Sequence, residues 1–257
     1  MKIFKLLSCD LDESFENLKR FHQDFASDFR TKTCSVEQYS LQYLQGIFLE
    51  QGRGNMVKYA KKVPDTDNQA LQHFISNSPW DEKPVIKKIQ DKVIQLIGDE
   101  NNGSLHFDES GYKKDGTHSV GVKRQYCGRL GKVDNCQVGV FMGYTNENYR
   151  TLINERLYLP ENWANDPIRR MECGVPEDVV FKTKGELALE MLLNAKERKI
   201  PFAWVGMDCF YGQQPWLLEN IDKEGITYIA DIPCNTRVWL DLPKTEIPKK
   251  KGKRGRI

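Results

Sequence analysis

Two aspartates follow short segments that are typical of buried strands. Asp108 comes directly after the segment 104–107, and Asp208 comes after the segment 202–207. A helical pattern at 187–199, preceded by a predicted capping box of Thr183 and Glu186, separates the two segments. A right-handed strand–helix–strand crossover can then place the second strand parallel to the first. The carboxylates are then expected at the carboxyl ends of neighbouring strands, where sites in open α/β sheets form. Because two close carboxylates repel each other, such a pair predicts a hard divalent cation with oxygen ligands.

Each aspartate can also have a purely structural role, as a turn former or a helix cap. For an isolated aspartate this role is the more common one. The functional interpretation therefore depends on the pairing. Other chemical groupings are weaker. The segment Gly128–Lys132 lacks the spacing and the hydroxyl residue of a phosphate-binding loop, and four scattered histidines do not predict a histidine metal cluster.

The elements that must position these aspartates change character along the chain. Residues 1–98 show apolar side chains at helical spacing, and the turn-rich segment 98–103 marks a domain boundary. Beyond it we predict strands at 104–107, 119–126 and 136–144, about forty irregular residues, a helix, a fourth strand, a short helix and a fifth strand. The order β-β-β-α-β-α-β predicts an α/β (α+β) protein with a helical N-terminal region and a mixed sheet.

The composition is that of a globular protein. Of 257 residues, 39% are hydrophobic and 29% are charged, and no segment approaches the roughly 20 apolar residues of a membrane-spanning helix. The apolar stretch before Cys9 is too short for a secretory leader. Seven cysteines without a C-x-x-C pair predict neither a disulfide framework nor a zinc site. We therefore expect a cytoplasmic protein with reduced thiols.

The net charge of +2 hides an uneven distribution. Six of the last nine residues are basic, which leaves the rest of the chain with more acidic than basic side chains. Two interpretations of this tail stay open: a solvated run or expression remnant, or a segment that contacts phosphates. In the second case the candidate contacts include Lys250, Lys253 and Arg254.

Several separated blocks resemble the insertion-sequence DDE transposases of group seven-zero-one. The first block runs from Phe107 to Gln137 and contains the string FDESGYKK at its start and GKVDNCQ at its end. The similarity continues in RLYLP at 156–160, in F-x-T-K-x-E-L-A at 181–188 and in W-V-x-x-D-x-x-Y-G at 204–212. Upstream, YLQG at 43–46 and QALQHF at 69–74 are similar too. The resemblance spans nearly the whole chain.

This resemblance implies an RNase H-like DDE endonuclease that cuts and joins DNA with two Mg²⁺ ions, for which Mn²⁺ can substitute. Asp108 is then the first catalytic and metal-binding acid and Asp208 the second. Four basic residues near the first acid become candidate phosphate contacts, although a solvated strand edge is an equally good interpretation of each: Lys113, Lys114, Lys123 and Arg124.

The sequence departs from the family pattern at the third acid. A glutamate is expected on a helix well beyond the fifth strand, but Glu219, Glu224 and Glu246 do not match that position. We therefore expect residues 104–248 to form an incomplete RNase H-like core, the tail 249–257 to begin a missing insertion, and residues 1–98 to bind transposon ends.

The resemblance also implies the partners of the protein. We expect double-stranded DNA, both as terminal inverted repeats and as target, a possible homodimer, and a location at the bacterial nucleoid. Two alternatives stay open: a truncated, inactive fragment that binds transposon DNA or the full-length enzyme as an inhibitor or relic, and a site completed by a glutamate from a separate chain.

Overall fold

The computed structural model describes residues 8–237 and residue 241. The basic tail and its three candidate phosphate contacts (Lys250, Lys253 and Arg254) lie outside this range, and so does Glu246. The described residues form two compact units. The first comprises the chain up to Gly103 together with Phe141–Glu155 and Leu193–Ala203; the second comprises Ser104–Val140, Arg156–Leu192 and the part from Trp204 onward.

The first unit is largely helical. Its helices are α1 (Ser8–Gln23), α2 (Glu37–Leu49), α3 (Met56–Lys62), α4 (Asn68–Ser76) and α5 (Glu82–Leu96), with a 3-10 turn at Ala26–Phe29. Aromatic packing holds them, because Phe25, Phe29 and Phe74 form a buried cluster with Val36. Asp67 caps α4, as its carboxylate accepts hydrogen bonds from two amides at the start of that helix. None of the described helices is long and apolar enough to cross a bilayer.

The sheet and the remaining helices follow in sequence. The strands are β1 (Ser104–Lys113), β2 (Lys123–Cys127), β3 (Lys132–Asn146), β4 (Tyr149–Leu157), β5 (Trp204–Met207) and β6 (Tyr228–Ala230). The helices between them are α6 (Glu161–Ala164), α7 (Pro167–Glu172), α8 (Lys184–Glu197), α9 (Cys209–Gly212) and α10 (Pro215–Lys223). The order in the sheet is β2-β3-β1-β5-β6, and β4 pairs with β3.

The sheet is mixed, as predicted. Strands β2 and β3 are antiparallel, whereas β5 is parallel to both β1 and β6. The predicted placement of the strand before Asp208 beside the strand before Asp108 is thereby confirmed. Helices followed by a mixed sheet agree with the expected α/β (α+β) class.

The predicted strand order was wrong in one respect, because four strands rather than three precede α8. The missing strand is β4, which follows β3 through a turn in which Glu147 has a φ of 50°. No glycine marks that turn. In addition, β4 exposes Leu152 and buries Asn154, whose side chain donates to Asn194 at 3.1 Å. Alternation of apolar and polar side chains therefore pointed away from a strand.

Two strand boundaries also differ from the prediction. The first strand does not end before Asp108 but continues to Lys113. The second begins at Lys123 rather than Ser119, because residues 119–122 form a turn in which Gly121 has a φ of +76°. That turn is anchored by Trp163, which is fully buried and donates from Nε1 to the Val122 carbonyl at 2.7 Å.

Candidate metal and nucleic-acid site

The register of two parallel strands brings Asp108 and Asp208 to adjacent positions. The last paired residues of β1 and β5 are Phe107 and Met207, and each aspartate is the next residue of its chain segment. Neighbouring strands lie about 4.8 Å apart. Both aspartates are solvent-exposed. Residues that are 100 positions apart in the sequence are therefore neighbours at one edge of the sheet.

The residues two positions before the aspartates lie side by side. His106 lies beside Gly206 so closely that a Cβ at residue 206 would be 2.5 Å from His106 Nδ1. The ring of Trp204 contacts the same imidazole edge to face at 5.3 Å. Since strand residues two apart point to the same side, Asp108 lies on the same face of β1 as His106. Asp208 follows Gly206 by two positions, directly after the end of β5. His106 is itself held by Ser104 at 2.9 Å, as expected for a structural histidine.

Local backbone contacts orient the two carboxylates differently. Asp208 is the N-cap of α9, and its Oδ1 accepts hydrogen bonds from the amides of Phe210 at 3.0 Å and Tyr211 at 3.3 Å. Asp108 lies within β1, where its Oδ1 accepts from the next amide, that of Glu109, at 2.7 Å. In each case Oδ1 is the oxygen that accepts these backbone hydrogen bonds.

A second polar group lies on the other side of β1. Glu109 forms an ion pair with Lys184, the first residue of α8, with Nζ–Oε1 at 2.7 Å. The predicted capping box at the start of α8 is confirmed: the Thr183 amide donates to the Glu186 carboxylate at 2.6 Å, and the Glu186 amide donates to the Thr183 hydroxyl at 3.2 Å. This box fixes the position of Lys184.

Tyr211 completes this group. Its hydroxyl is buried, and within the described part of the chain neither this hydroxyl nor Glu109 Oε2 meets the geometry of a hydrogen bond. Burial raises the pKa of the Tyr211 hydroxyl, and the negative charge of Glu109 raises it further. The charges of Asp208 and Asp108 act in the same direction. The phenol therefore stays neutral within electrostatic range of all three carboxylates.

The four basic residues predicted near the first acid do not share one environment. Lys113 lies 3.7 Å from the Asp115 carboxylate. Lys113 also helps to lower the pKa of Asp134, after the Asn135 amide and the Lys132 ammonium, which act more strongly. The positive charge of Lys113 is thus partly compensated, and its contribution to an exposed ion pair is small.

Lys114 and Arg124 meet at a third residue, Asn135. The Lys114 amide donates to the Asn135 carbonyl at 3.0 Å, and Asn135 Nδ2 donates back to the Lys114 carbonyl at 2.7 Å. Arg124 is the cross-strand partner of Asn135, and Lys123 pairs with Cys136. Lys114, the residue after β1, and Arg124 on β2 therefore both neighbour Asn135 on β3, and within the described residues neither makes an ion pair.

The donor set partly fits the divalent ions that the sequence implied. Two exposed carboxylates on adjacent strands offer the oxygen ligands that Mg²⁺ and Mn²⁺ accept. However, within residues 8–237 and at residue 241 no three acidic, histidine or cysteine side chains form a group that could hold a metal ion. Glu219 is exposed on α10. The described residues therefore offer two candidate ligands, and no third candidate groups with them.

Sequence reasoning missed the contribution of Glu109, Lys184 and Tyr211. Each lies inside a block that was used for the resemblance, and Glu109 is adjacent to Asp108 in the sequence. The capping box placed Lys184 at a helix start, but nothing in the sequence indicated that this helix start meets β1. Only the tertiary contact between the first residue of α8 and β1 brings the ammonium to the carboxylate.

Comparison with known proteins shows the family of this chain. Residues 20–257 match the family described as DDE superfamily endonuclease. The chain belongs to this family. It is 30% identical over 243 residues to a probable transposase for insertion sequence element IS701 from Microchaete diplosiphon, a match that covers 91% of this chain. The chain spans 53% of that relative's length.

A solved structure of a pre-cleavage Mos1 transpososome also shows a weak likeness to this DDE family member. The likeness has 7% sequence identity and a TM-score of 0.21, and it covers 72% of this chain and 57% of the other.

Proposed function

We propose that this chain contributes to DNA transposition, through metal-dependent hydrolysis of phosphodiester bonds and strand transfer at transposon ends. The observation that carries the proposal is the register of β1 and β5, which makes Asp108 and Asp208 neighbours. Membership of the DDE superfamily endonucleases supports it, and so does the similarity to a probable transposase.

Asp108 and Asp208 are the residues that would hold the divalent ions. A bound Mg²⁺ or Mn²⁺ pair would activate the attacking oxygen and stabilise the leaving oxygen of an in-line displacement. The protein's own contribution is to fix the two carboxylates on a rigid sheet edge before DNA arrives. Because such chemistry needs no covalent enzyme intermediate, it requires no serine or cysteine nucleophile.

Basic side chains next to this edge fit the phosphate backbone of DNA. Lys114 and Arg124 both neighbour Asn135 on β3 and have no competing acidic partner in the described chain. Contacts of this kind position the nucleic acid without reading its sequence, and they make its affinity depend on salt. Of the four candidates near Asp108, we therefore assign the larger effect to these two and the smaller one to Lys113.

The helical segment before the sheet is proposed to bind transposon ends, as its place ahead of the catalytic region implied. Its polar surface is not uniformly basic: in the described part, Lys88 pairs with Asp28 at 2.8 Å and Lys62 pairs with Glu50 at 3.1 Å. End recognition by residues 8–98 would therefore rest on specific contacts rather than on a general attraction for polyanions.

A cleavage assay tests the proposed function. The substrate is a labelled duplex that carries the terminal inverted repeats flanking the gene, incubated with the protein and Mg²⁺ or Mn²⁺. We expect strand cleavage that Asp108→Asn and Asp208→Asn each abolish. The matched control is Asp222→Asn, which neutralises an exposed carboxylate on α10 and should cleave at the wild-type rate.

Two outcomes contradict the proposal in different ways. Cleavage that persists in both site variants would show that the two aspartates do not hold the reacting metal. Retention of the labelled duplex without metal-dependent cleavage would instead favour the alternative of a DNA-binding fragment that does not cut.

A further inference from the structure

The ion pair between Lys184 and Glu109 links the segments that carry the two aspartates. Glu109 follows Asp108 on β1, and its Oε1 lies 2.7 Å from Lys184 Nζ. The two side chains are only 19% and 15% exposed, respectively. An ion pair with this burial is screened much less by water and salt than an exposed pair.

The same ammonium also contacts the segment that follows Asp208. Lys184 Nζ lies 5.0 Å from the ring centroid of Phe210, two residues beyond that aspartate, and 5.9 Å from the ring of Tyr158. Distances in this range allow attraction between a cation and an aromatic face. Lys184 therefore touches both β1 and α9.

The surroundings of the pair make its charge balance important. Glu109 Oε2 and the Tyr211 hydroxyl are buried, and neither has a hydrogen-bond partner in the part of the chain that the structure describes. If either charge of the pair is removed, the charge that is left stays partly buried and has lost its ion-pair partner.

We infer that Lys184 is a positioning residue for the metal site. Its ion pair with Glu109 is neutral overall, holds β1 and α9 together, and keeps unbalanced charge away from Asp108 and Asp208. This inference rests on the proposed function of those aspartates. It assigns no metal contact to Lys184 or to Glu109.

The ion pair predicts a change in divalent-ion affinity whose direction depends on which partner is removed. Glu109→Gln leaves an uncompensated cation beside the aspartates, so divalent ions should bind more weakly. Lys184→Met leaves an uncompensated anion, so they should bind more tightly. A unit charge about 10 Å from a divalent ion, at an effective dielectric constant of about 50, changes affinity by about tenfold.

The experiment is a titration of the full chain with Mn²⁺, followed by electron paramagnetic resonance of the free ion, which requires no cleavage. We expect Glu109→Gln to weaken binding about tenfold and Lys184→Met to strengthen it by a similar factor. The double variant, in which both charges are gone, should return to within about twofold of the wild type. Lys184→Arg keeps the charge and should also bind like the wild type.

A merely structural role would shift all variants in one direction. The inference is overturned if both single variants weaken Mn²⁺ binding, or if neither changes it. Thermal melts identify any variant that fails to fold. If Lys184→Met fails to fold, Glu109→Gln is compared with the double variant: Mn²⁺ affinity restored in the double variant supports the inference, and affinity that stays low overturns it. Failure of the proposed function looks different: the wild type then shows no Mn²⁺ binding that Asp108→Asn or Asp208→Asn removes.

Discussion

Substitution of Gly206 by alanine tests the strand register on which the site depends. Gly206 lies in β5 opposite His106 of β1, two residues before Asp208. An added Cβ would lie 2.5 Å from His106 Nδ1 and 3.0 Å from Trp204 Cζ3. The imidazole has little room to move away, because Ser104 holds its other nitrogen at 2.9 Å. The new methyl group must therefore displace the ring or separate the strands.

The expected cost follows from this overlap. Adding a methyl group to a closely packed contact costs about 1–3 kcal/mol. For a chain of this size each kcal/mol lowers the Tm by about 2–4 °C, so we expect Gly206→Ala to lower the Tm by about 6 °C. Separation of β1 from β5 would also move Asp208 relative to Asp108. We therefore expect Gly206→Ala to lower both the stability and the affinity for Mn²⁺.

The assay is thermal and urea unfolding of a double-mutant cycle. His106→Ala removes the ring that the new methyl group would strike, so the cost of Gly206→Ala should be at least about 1 kcal/mol smaller in the His106→Ala background. Two results would refute this pairing of β5 with β1: wild-type stability in Gly206→Ala, or an equal loss of free energy of unfolding in the wild-type and His106→Ala backgrounds.

Two further predictions concern stability elsewhere. Trp163→Phe removes the donor to the buried Val122 carbonyl and should destabilise the fold by about 2 kcal/mol, measured by urea denaturation. Burial lowers the pKa of His22, whose Nε2 lies 2.6 Å from Ser40 Oγ. Because the pKa of His22 is lower in the folded than in the unfolded state, its contribution to the free energy of unfolding is fully present above about pH 6.5. That contribution is lost as the pH falls below this value towards the folded-state pKa. His22→Gln should flatten this loss between about pH 7 and pH 5; an unchanged slope would contradict the assignment.

The sequence was informative where local pattern and tertiary contact agree. The parallel pairing of β1 with β5 followed from the strand–helix–strand order, because crossover handedness restricts where the second strand can lie. The start of α8 followed from Thr183 and Glu186, since a capping box is a local interaction. The capping box is encoded by residues three positions apart, whereas the strand pairing follows from the order of the elements along the chain.

The sequence was uninformative where a contact reverses the usual preference. Strand β4 places Asn154 inside and Leu152 outside, because hydrogen bonding to Asn194 satisfies the buried amide. Likewise, nothing in the local sequence marks Glu109 as the ion-pair partner of Lys184 on α8. Partners far along the chain decide both cases, and no local pattern encodes them.

The choice of substitution at Asp208 separates two roles that its carboxylate combines. Oδ1 caps α9 through two backbone amides, whereas a metal ion would require the negative charge. Asparagine is as good an N-cap as aspartate, and alanine is not. Asp208→Asn should therefore keep the cap and lose the metal, while Asp208→Ala should lose both and cost about 1 kcal/mol of stability as well. Loss of cleavage in the asparagine variant at unchanged stability would thus point to the charge, and a parallel loss of stability in both variants would point to the fold.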